Sequence, residues 1–197
     1  MPKIVDTKQR REQIARAAAE VISERGLESA SIREVAKRTG ATRGFIEHYF
    51  ENKTELVGAA IDWLNASYLR RINKAVAGKR GLAALRARFE YSLPKSPTTR
   101  NEWRLRLRFW SSPDQDINTV QRQRLQIWLK VIEEDIIVAQ SLGEISPAID
   151  AKQAAQRLFY ILSGLSTLSV ADKQSYNRDF LLTEFDRQLG KLENGTL

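Results

Sequence analysis

Two helix starts separated by a single glycine constrain this chain more than any other feature. Ser31 opens a short apolar-periodic stretch, and Glu34 follows three residues on, the pattern of a capping box. Ile32, Val35 and Ala36 form the inward side, the stretch stops at Thr39, and Gly40 stands where a left-handed turn residue is needed. Thr42 then caps a second short helix running to about Phe50, with Ile46 spaced to point back at Val35 and Ala36. Ala36 is small enough for a crossing helix to approach closely. Two short helices crossing over a tight turn make a helix-turn-helix, and a further helix start near Asn52 follows at once.

The rest of the chain reads as all-α. Runs of β-branched residues are few and there are no Asn-Gly or Asp-Gly hairpin turns. The five prolines are Pro2, Pro94, Pro97, Pro113 and Pro147, so nothing between Pro2 and Pro94 forbids helix. A first helix is expected from about Thr7 to Arg25, closed by Gly26, with Ile14, Ala18, Val21 and Ile22 at helical spacing. The fourth helix runs from near Asn52 towards Ala77, followed by a break over Gly78–Gly81 and a fifth helix from about Leu82 to Leu93. Trp103 to Trp110 alternates apolar and basic residues, which is a strand signature. As a helix it sets Trp103, Leu107 and Trp110 against Leu105 and Phe109 on opposite faces. With no partner strand in the sequence, helix is the reading, broken by Pro113. Longer helices follow over about Asp116–Ser141, Ala151–Val170 and Ser175–Lys191. The predicted organisation is a helix-turn-helix domain over 1–52 and a helical-bundle domain over 53–197.

Composition excludes several chemistries. The 197 residues contain no cysteine and one histidine, so disulfides, thiolate zinc sites and His-rich metal sites are out. No Gly-rich phosphate loop is present, and the acidic trio Glu133, Glu134 and Asp135 points in different directions on a helix. No enzyme activity, metal or cofactor is therefore predicted. No apolar run reaches the roughly 18 residues of a membrane span, and the first residues lack a signal-peptide core; a cytoplasmic protein is expected. The net charge is +8, with residues 1–50 at +3 and 51–100 at +6. A basic first half suggests a polyanion, nucleic acid or an anionic membrane surface, and charge alone does not choose.

The second short helix makes that choice. Laid in a major groove, it would present its N-terminal end, Thr42, Arg43 and Gly44, to base edges. Gly44 costs a helix about 1 kcal/mol against alanine, and its bare backbone would let DNA approach. Arg43 can pair with guanine or phosphate, while His48, Tyr49 and Lys53 can donate to phosphates. Ser31 and the start of the fourth helix offer free amides. Plainer roles compete at each position: Thr42 as a cap, Arg43 as solubilising charge, His48 as a packed histidine, Tyr49 with a buried ring.

Residues 8–64 resemble the DNA-binding domain of the TetR family of bacterial transcriptional regulators. The resemblance lies in Ser31–Ala36, Thr39–Gly44, and Ile46–Phe50 followed by Asn52–Leu56; Trp103–Pro113 and Leu162–Leu165 are similar to the BetI-type branch. It implies a homodimeric repressor of about nine helices. The first three would bind a double-stranded operator, the fourth would lead into an effector domain, and the last two would pack on their copies. The DNA-facing positions implied are Thr42, Arg43, Gly44, His48, Tyr49 and Lys53. At Glu47 most members carry a tyrosine that touches phosphate. A carboxylate there would repel phosphate, would suit a cytosine amino group, or would pair with Arg43 one turn earlier.

For the second domain, the apolar residues of the last two helices are expected at the dimer interface: Leu158, Leu162, Leu165, Phe180, Leu181 and Phe185. Trp63, Phe89, Trp103, Phe109, Trp110, Trp128 and Tyr160 are candidates to line a pocket for an unidentified small-molecule effector, with plain core as the competing role. Effector binding would tilt the fourth helix and change the spacing of two reading heads. A helical DNA-binding protein or activator without an effector, and a membrane-surface protein using the charge over 70–100, are the alternatives.

Overall fold

The computed structural model describes residues 4–111 and 115–197, except for the side chains of 4–6, 28, 116–118, 120 and 121. Among the described residues there are nine α-helices and no strand: α1 (Ile4–Arg25), α2 (Ile32–Thr39), α3 (Arg43–Glu47), α4 (Lys53–Val76), α5 (Gly81–Ser92), α6 (Pro97–Trp110), α7 (Gln115–Ser141), α8 (Ala151–Ala171) and α9 (Arg178–Glu193). A single 3₁₀ turn, Leu27–Ser29, joins α1 to α2. The predicted break at Pro113 lies outside the described residues. The chain forms two compact units, Met1–Arg70 and Arg71–Leu197, meeting inside α4, whereas the sequence suggested a division at 52/53.

In the first unit, α1, α2, α3 and the start of α4 enclose Ile14, Ala18, Ile22, Val35, Ile46, Phe50, Leu56 and Ala60, all essentially without solvent contact. Of the predicted inward residues, Val35, Ala36 and Ile46 are buried and Ile32 is half-buried. The third helix is shorter than predicted. It stops at Glu47, and Tyr49 N–H donates to the Ile46 carbonyl at 2.9 Å. That tightening delivers Phe50 into the core and leaves Asn52 to cap α4, its side chain accepting from Glu55 N–H at 2.9 Å.

The second unit is built on α5, α7, α8 and α9, whose core includes Leu85, Phe89, Ile132, Ile136, Leu158, Leu162, Leu181 and Phe185. Phe89 stacks on Phe185 at 4.9 Å and meets the edge of Trp128 at 6.0 Å. The ambiguous segment is helical: Ser96 and Thr99 form a capping box with Pro97 in the first turn, which starts α6 ahead of the alternating stretch. Trp103 on one face and Leu105 and Phe109 on the other are buried, but Trp110 is exposed. Trp103 Nε1–H donates to the Ser92 carbonyl at 2.6 Å, joining α6 to the end of α5. A near-buried ion pair, Arg88 Nε to Asp135 Oδ2 at 2.7 Å, joins α5 to α7.

This packing takes four of the six residues expected at the dimer interface into the chain's own core. Leu158, Leu162, Leu181 and Phe185 are 0–1% exposed within their own chain. Helices α8 and α9 turn their most apolar stripes inward because the second unit needs them for its own core. Leu165 is half-buried against that core, and Phe180 is exposed, set edge-on to Tyr176 at 5.3 Å.

Candidate nucleic-acid interface

The first unit presents α3 on a scaffold fixed by caps. Ser31 Oγ accepts from Glu34 N–H at 3.2 Å. The reciprocal half of the expected box is not made, because Ser31 N–H already donates to the Ser29 carbonyl at 2.9 Å and the Glu34 carboxylate takes Arg25. Helix α2 ends on Gly40 at φ 67°, with Ala41 N–H reaching the Ala36 carbonyl at 3.0 Å, the 6→1 bond of a left-handed C-cap. Two residues later Thr42 Oγ1 accepts from Phe45 N–H at 3.2 Å and starts α3. Capping is thus the role of the Thr42 hydroxyl inside the chain.

The outward side of α3 carries the remaining predicted residues. The Arg43 side chain is 74% exposed, and its Nε donates to Glu47 Oε1 at 2.7 Å. Beside it, a Cβ added at Gly44 would meet nothing within 4 Å. Among the described residues no neighbour demands glycine there, so none of them offsets its cost to the helix. His48 is exposed and touches Tyr49 edge-on at 5.1 Å, which excludes the packed-histidine role. Tyr49 is half-buried, with Phe45, itself exposed, tilted against it at 5.2 Å. Lys53 sits half-buried at the start of α4.

Two contributors were missed in the sequence. Phe45 adds an apolar face to the outward side of α3; it adjoins inward-facing Ile46, so an outward direction was the available signal. Arg11 lies 38 residues before its partner, and no local spacing announces it. Its guanidinium donates to the Tyr49 carbonyl and, at 2.9 Å, to Glu55 Oε1, and lies 4.3 Å above the Phe50 ring. Arg11 therefore holds the turn carrying His48 and Tyr49 against both α1 and α4. Its donation, joined by Glu51 N–H, holds the Glu55 carboxyl below the usual carboxylate range. Arg38, by contrast, is pushed further up by bonding to Glu24 and is committed to α1.

In the second unit the predicted pocket residues divide. Phe89, Trp103 and Phe109 are core, Trp128 is half-buried, and Trp110 and Tyr160 are exposed. Trp63 is half-buried in the first unit. Phe159, not singled out in the sequence, bridges Trp110 and Trp128 at 6.2 and 5.8 Å between ring centroids. Tyr160 lines a shallow hollow of about 310 Å³ with Ile161, Gln188 and Lys191. No group of acidic or histidine side chains able to hold a metal occurs among the described residues.

Comparison with known proteins decides the class. The family described as bacterial regulatory proteins, tetR family, matches residues 14–60, and the C-terminal region of BetI-type transcriptional repressors matches residues 82–192. The chain belongs to the TetR family, in its BetI-type branch. It is similar to the transcriptional regulator BetI of Yersinia pestis, 29% identical over 190 residues, covering 90% of this chain and 89% of that protein. The transcriptional regulator PksA of Bacillus subtilis is 43% identical over 72 residues, 36% of this chain and 35% of PksA. A regulator from Saccharomonospora viridis, solved in complex with choline, superposes with a TM-score of 0.85 at 21% identity, covering 93% of this chain and 96% of that one. As a member of the TetR family the chain is a DNA-binding transcriptional regulator, with the C-terminal region of a BetI-type repressor. No helix among the described residues is long and apolar enough to cross a membrane.

Proposed function

We propose that this TetR-family chain acts in the cytoplasm, without catalytic activity, as a homodimeric repressor whose heads, 1–52, bind successive major grooves of an operator. The 53–197 domain would sense a small molecule and form the dimer. The operator contact consists of Thr42, Arg43, Gly44, Glu47, His48, Tyr49 and Lys53, with Ser31 at the start of α2. One observation carries this reading: Gly44 opens a bare stretch of backbone on an exposed helix that also carries Arg43, and nothing among the described residues needs that opening. Trp103, Trp110, Phe159 and Trp128 stand in a row of ring contacts, edge-to-face at both ends and tilted between Trp110 and Phe159, and are proposed as walls of the effector pocket. Aromatic walls suit a quaternary ammonium, the chemistry of the choline bound by the S. viridis regulator.

The test is a mobility-shift titration on duplexes selected by the protein from a random library. Arg43→Ala should weaken binding well over tenfold while circular dichroism stays unchanged, binding should fall steeply with salt as phosphate contacts release counterions, and choline should release the wild-type complex. A near-wild-type affinity for the variant removes Arg43 from the contact, and a flat salt dependence removes the DNA interface.

A further inference from the structure

We infer that Arg43 and Glu47 act together as one composite reader of a G·C base pair, so that the carboxylate sets specificity instead of merely lying beside the site. The inference rests on the operator contact proposed above. The two side chains lie one turn apart on α3 and are joined by a single bond, Arg43 Nε–H to Glu47 Oε1 at 2.7 Å. Neither makes another bond among the described residues, and both stand in solvent, 74% and 38% exposed. The bond leaves the two terminal guanidinium nitrogens free as a donor edge and leaves Glu47 Oε2 free as an acceptor.

Pairing has two consequences. It cancels the net charge of the unit, so the pair is poorly suited to anchoring on phosphate, where a lone arginine would serve better. It also fixes a pattern of two donors beside one acceptor. The major-groove edge of a G·C pair offers the complement: guanine N7 and O6 accept, and cytosine N4–H donates. Adenine sets its N6 donor beside N7 and would oppose one of the guanidinium donors. Helix α3 has room for this approach, because Gly44 adjoins Arg43 with open space where a side chain would stand. A glutamate that repels phosphate in isolation thus becomes an acceptor for a base while keeping the guanidinium in one orientation.

The experiment is selection of bound duplexes from a random library by wild-type protein, Glu47→Gln and Arg43→Lys, followed by titration of single-position operator variants. The wild type should fix a G·C pair at one position in each half-site. Glu47→Gln should reduce discrimination for that pair by about tenfold or more, read as the ratio of affinities between the G·C duplex and the same duplex changed at that position, so that any gain common to all duplexes on loss of the carboxylate charge cancels. Arg43→Lys should lose the same preference, and 7-deazaguanine at that position should weaken the wild type by about tenfold. Unchanged base preference in Glu47→Gln overturns this inference alone. A uniform gain in affinity for every duplex with that ratio unchanged also overturns it, since Glu47 would then be only a repelling charge. If the wild type enriches no duplex at all, the operator contact itself falls, and this inference with it.

Discussion

At the scale of single residues, the reading head depends on a side chain that touches no predicted DNA contact directly except through backbone. Arg11 fastens the Tyr49 carbonyl, pairs with Glu55 and covers the buried Phe50 ring. Both partners of the ion pair are partly solvated, so the pair itself contributes little, and the charge-assisted bond to the carbonyl and the ring contact add to it. Arg11→Ala should cost the first unit about 1–2 kcal/mol in urea unfolding and weaken operator binding by loosening the His48–Tyr49 turn. The pH dependence has a defined sign. Glu55 titrates lower in the folded state than in the unfolded one, so its contribution is complete above the ordinary carboxylate pKa of about 4.3 and is lost as pH falls through the lowered folded value. Acid unfolding curves should therefore show a shallower loss of stability below about pH 4.3 in Glu55→Gln than in the wild type. An identical acid limb in the two proteins would rule out this role. The contacts that sequence could supply were those with local spacing: the Ser31 and Thr42 caps, Gly40, and the outward Arg43 and Glu47. Arg11 was illegible because its partners are brought to it only by the fold.

At the scale of elements, two glycines that look alike in sequence do different things. Gly40 and Gly81 both have positive φ, 67° and 54°. A side chain at Gly40 would meet nothing within 4 Å, so only backbone strain opposes it. At Gly81 it would meet Glu144 Oε2 and, at 3.1 Å, the Ala139 backbone. The reason is a cap from a distance: Glu144 Oε2 accepts Leu82 N–H at 2.8 Å and closes the start of α5, where Arg80 makes no side-chain cap bond. Gly40→Ala should therefore cost about 1 kcal/mol, whereas Gly81→Ala should cost the same strain plus displacement of that cap, about 2–4 kcal/mol. Chemical denaturation of the two variants measures the contrast, and equal losses would mean that the Glu144 cap contributes nothing. Sequence located both turns, since glycine placement and capping residues are local signals. It read Gly81 only as part of a break, because the group that needs the space arrives from the end of α7. The same limit explains α3: its cap was legible, but its early end is set by Phe50 entering the core and by the turn that Arg11 holds.

At the scale of the whole molecule, charge and apolar surface are distributed differently from the sequence expectation. Residues 1–70 carry twelve basic and ten acidic side chains, and residues 71–110 carry eleven basic and two acidic. The excess that suggested a polyanion partner thus lies mainly outside the helix-turn-helix unit, where Arg16, Arg25, Arg38 and Arg43 are each paired with glutamate. The DNA reading survives because it rested on the helix crossing and the exposed face of α3, not on charge. Apolar surface tells a similar story. Leu158, Leu162 and Leu181, expected to join two copies, fill one chain's core, and among the residues α8 leaves outside are Tyr160, Gly164 and Leu168, one face at four-residue spacing, with Tyr160 64% and Leu168 44% exposed. A self-complementary interface must use such exposed positions. Tyr160→Glu combined with Leu168→Glu should convert a dimer into a monomer in sedimentation, with little change in helicity, since neither side chain supports the core. Operator affinity should fall about a hundredfold or more, because two heads no longer share one effective concentration. Leu162→Ala should do the reverse, lowering stability by about 2–5 kcal/mol while the protein that remains folded stays dimeric. A doubly substituted protein that still sediments as a dimer would exclude this face of α8 and direct attention to Phe180 and Tyr176 at the start of α9.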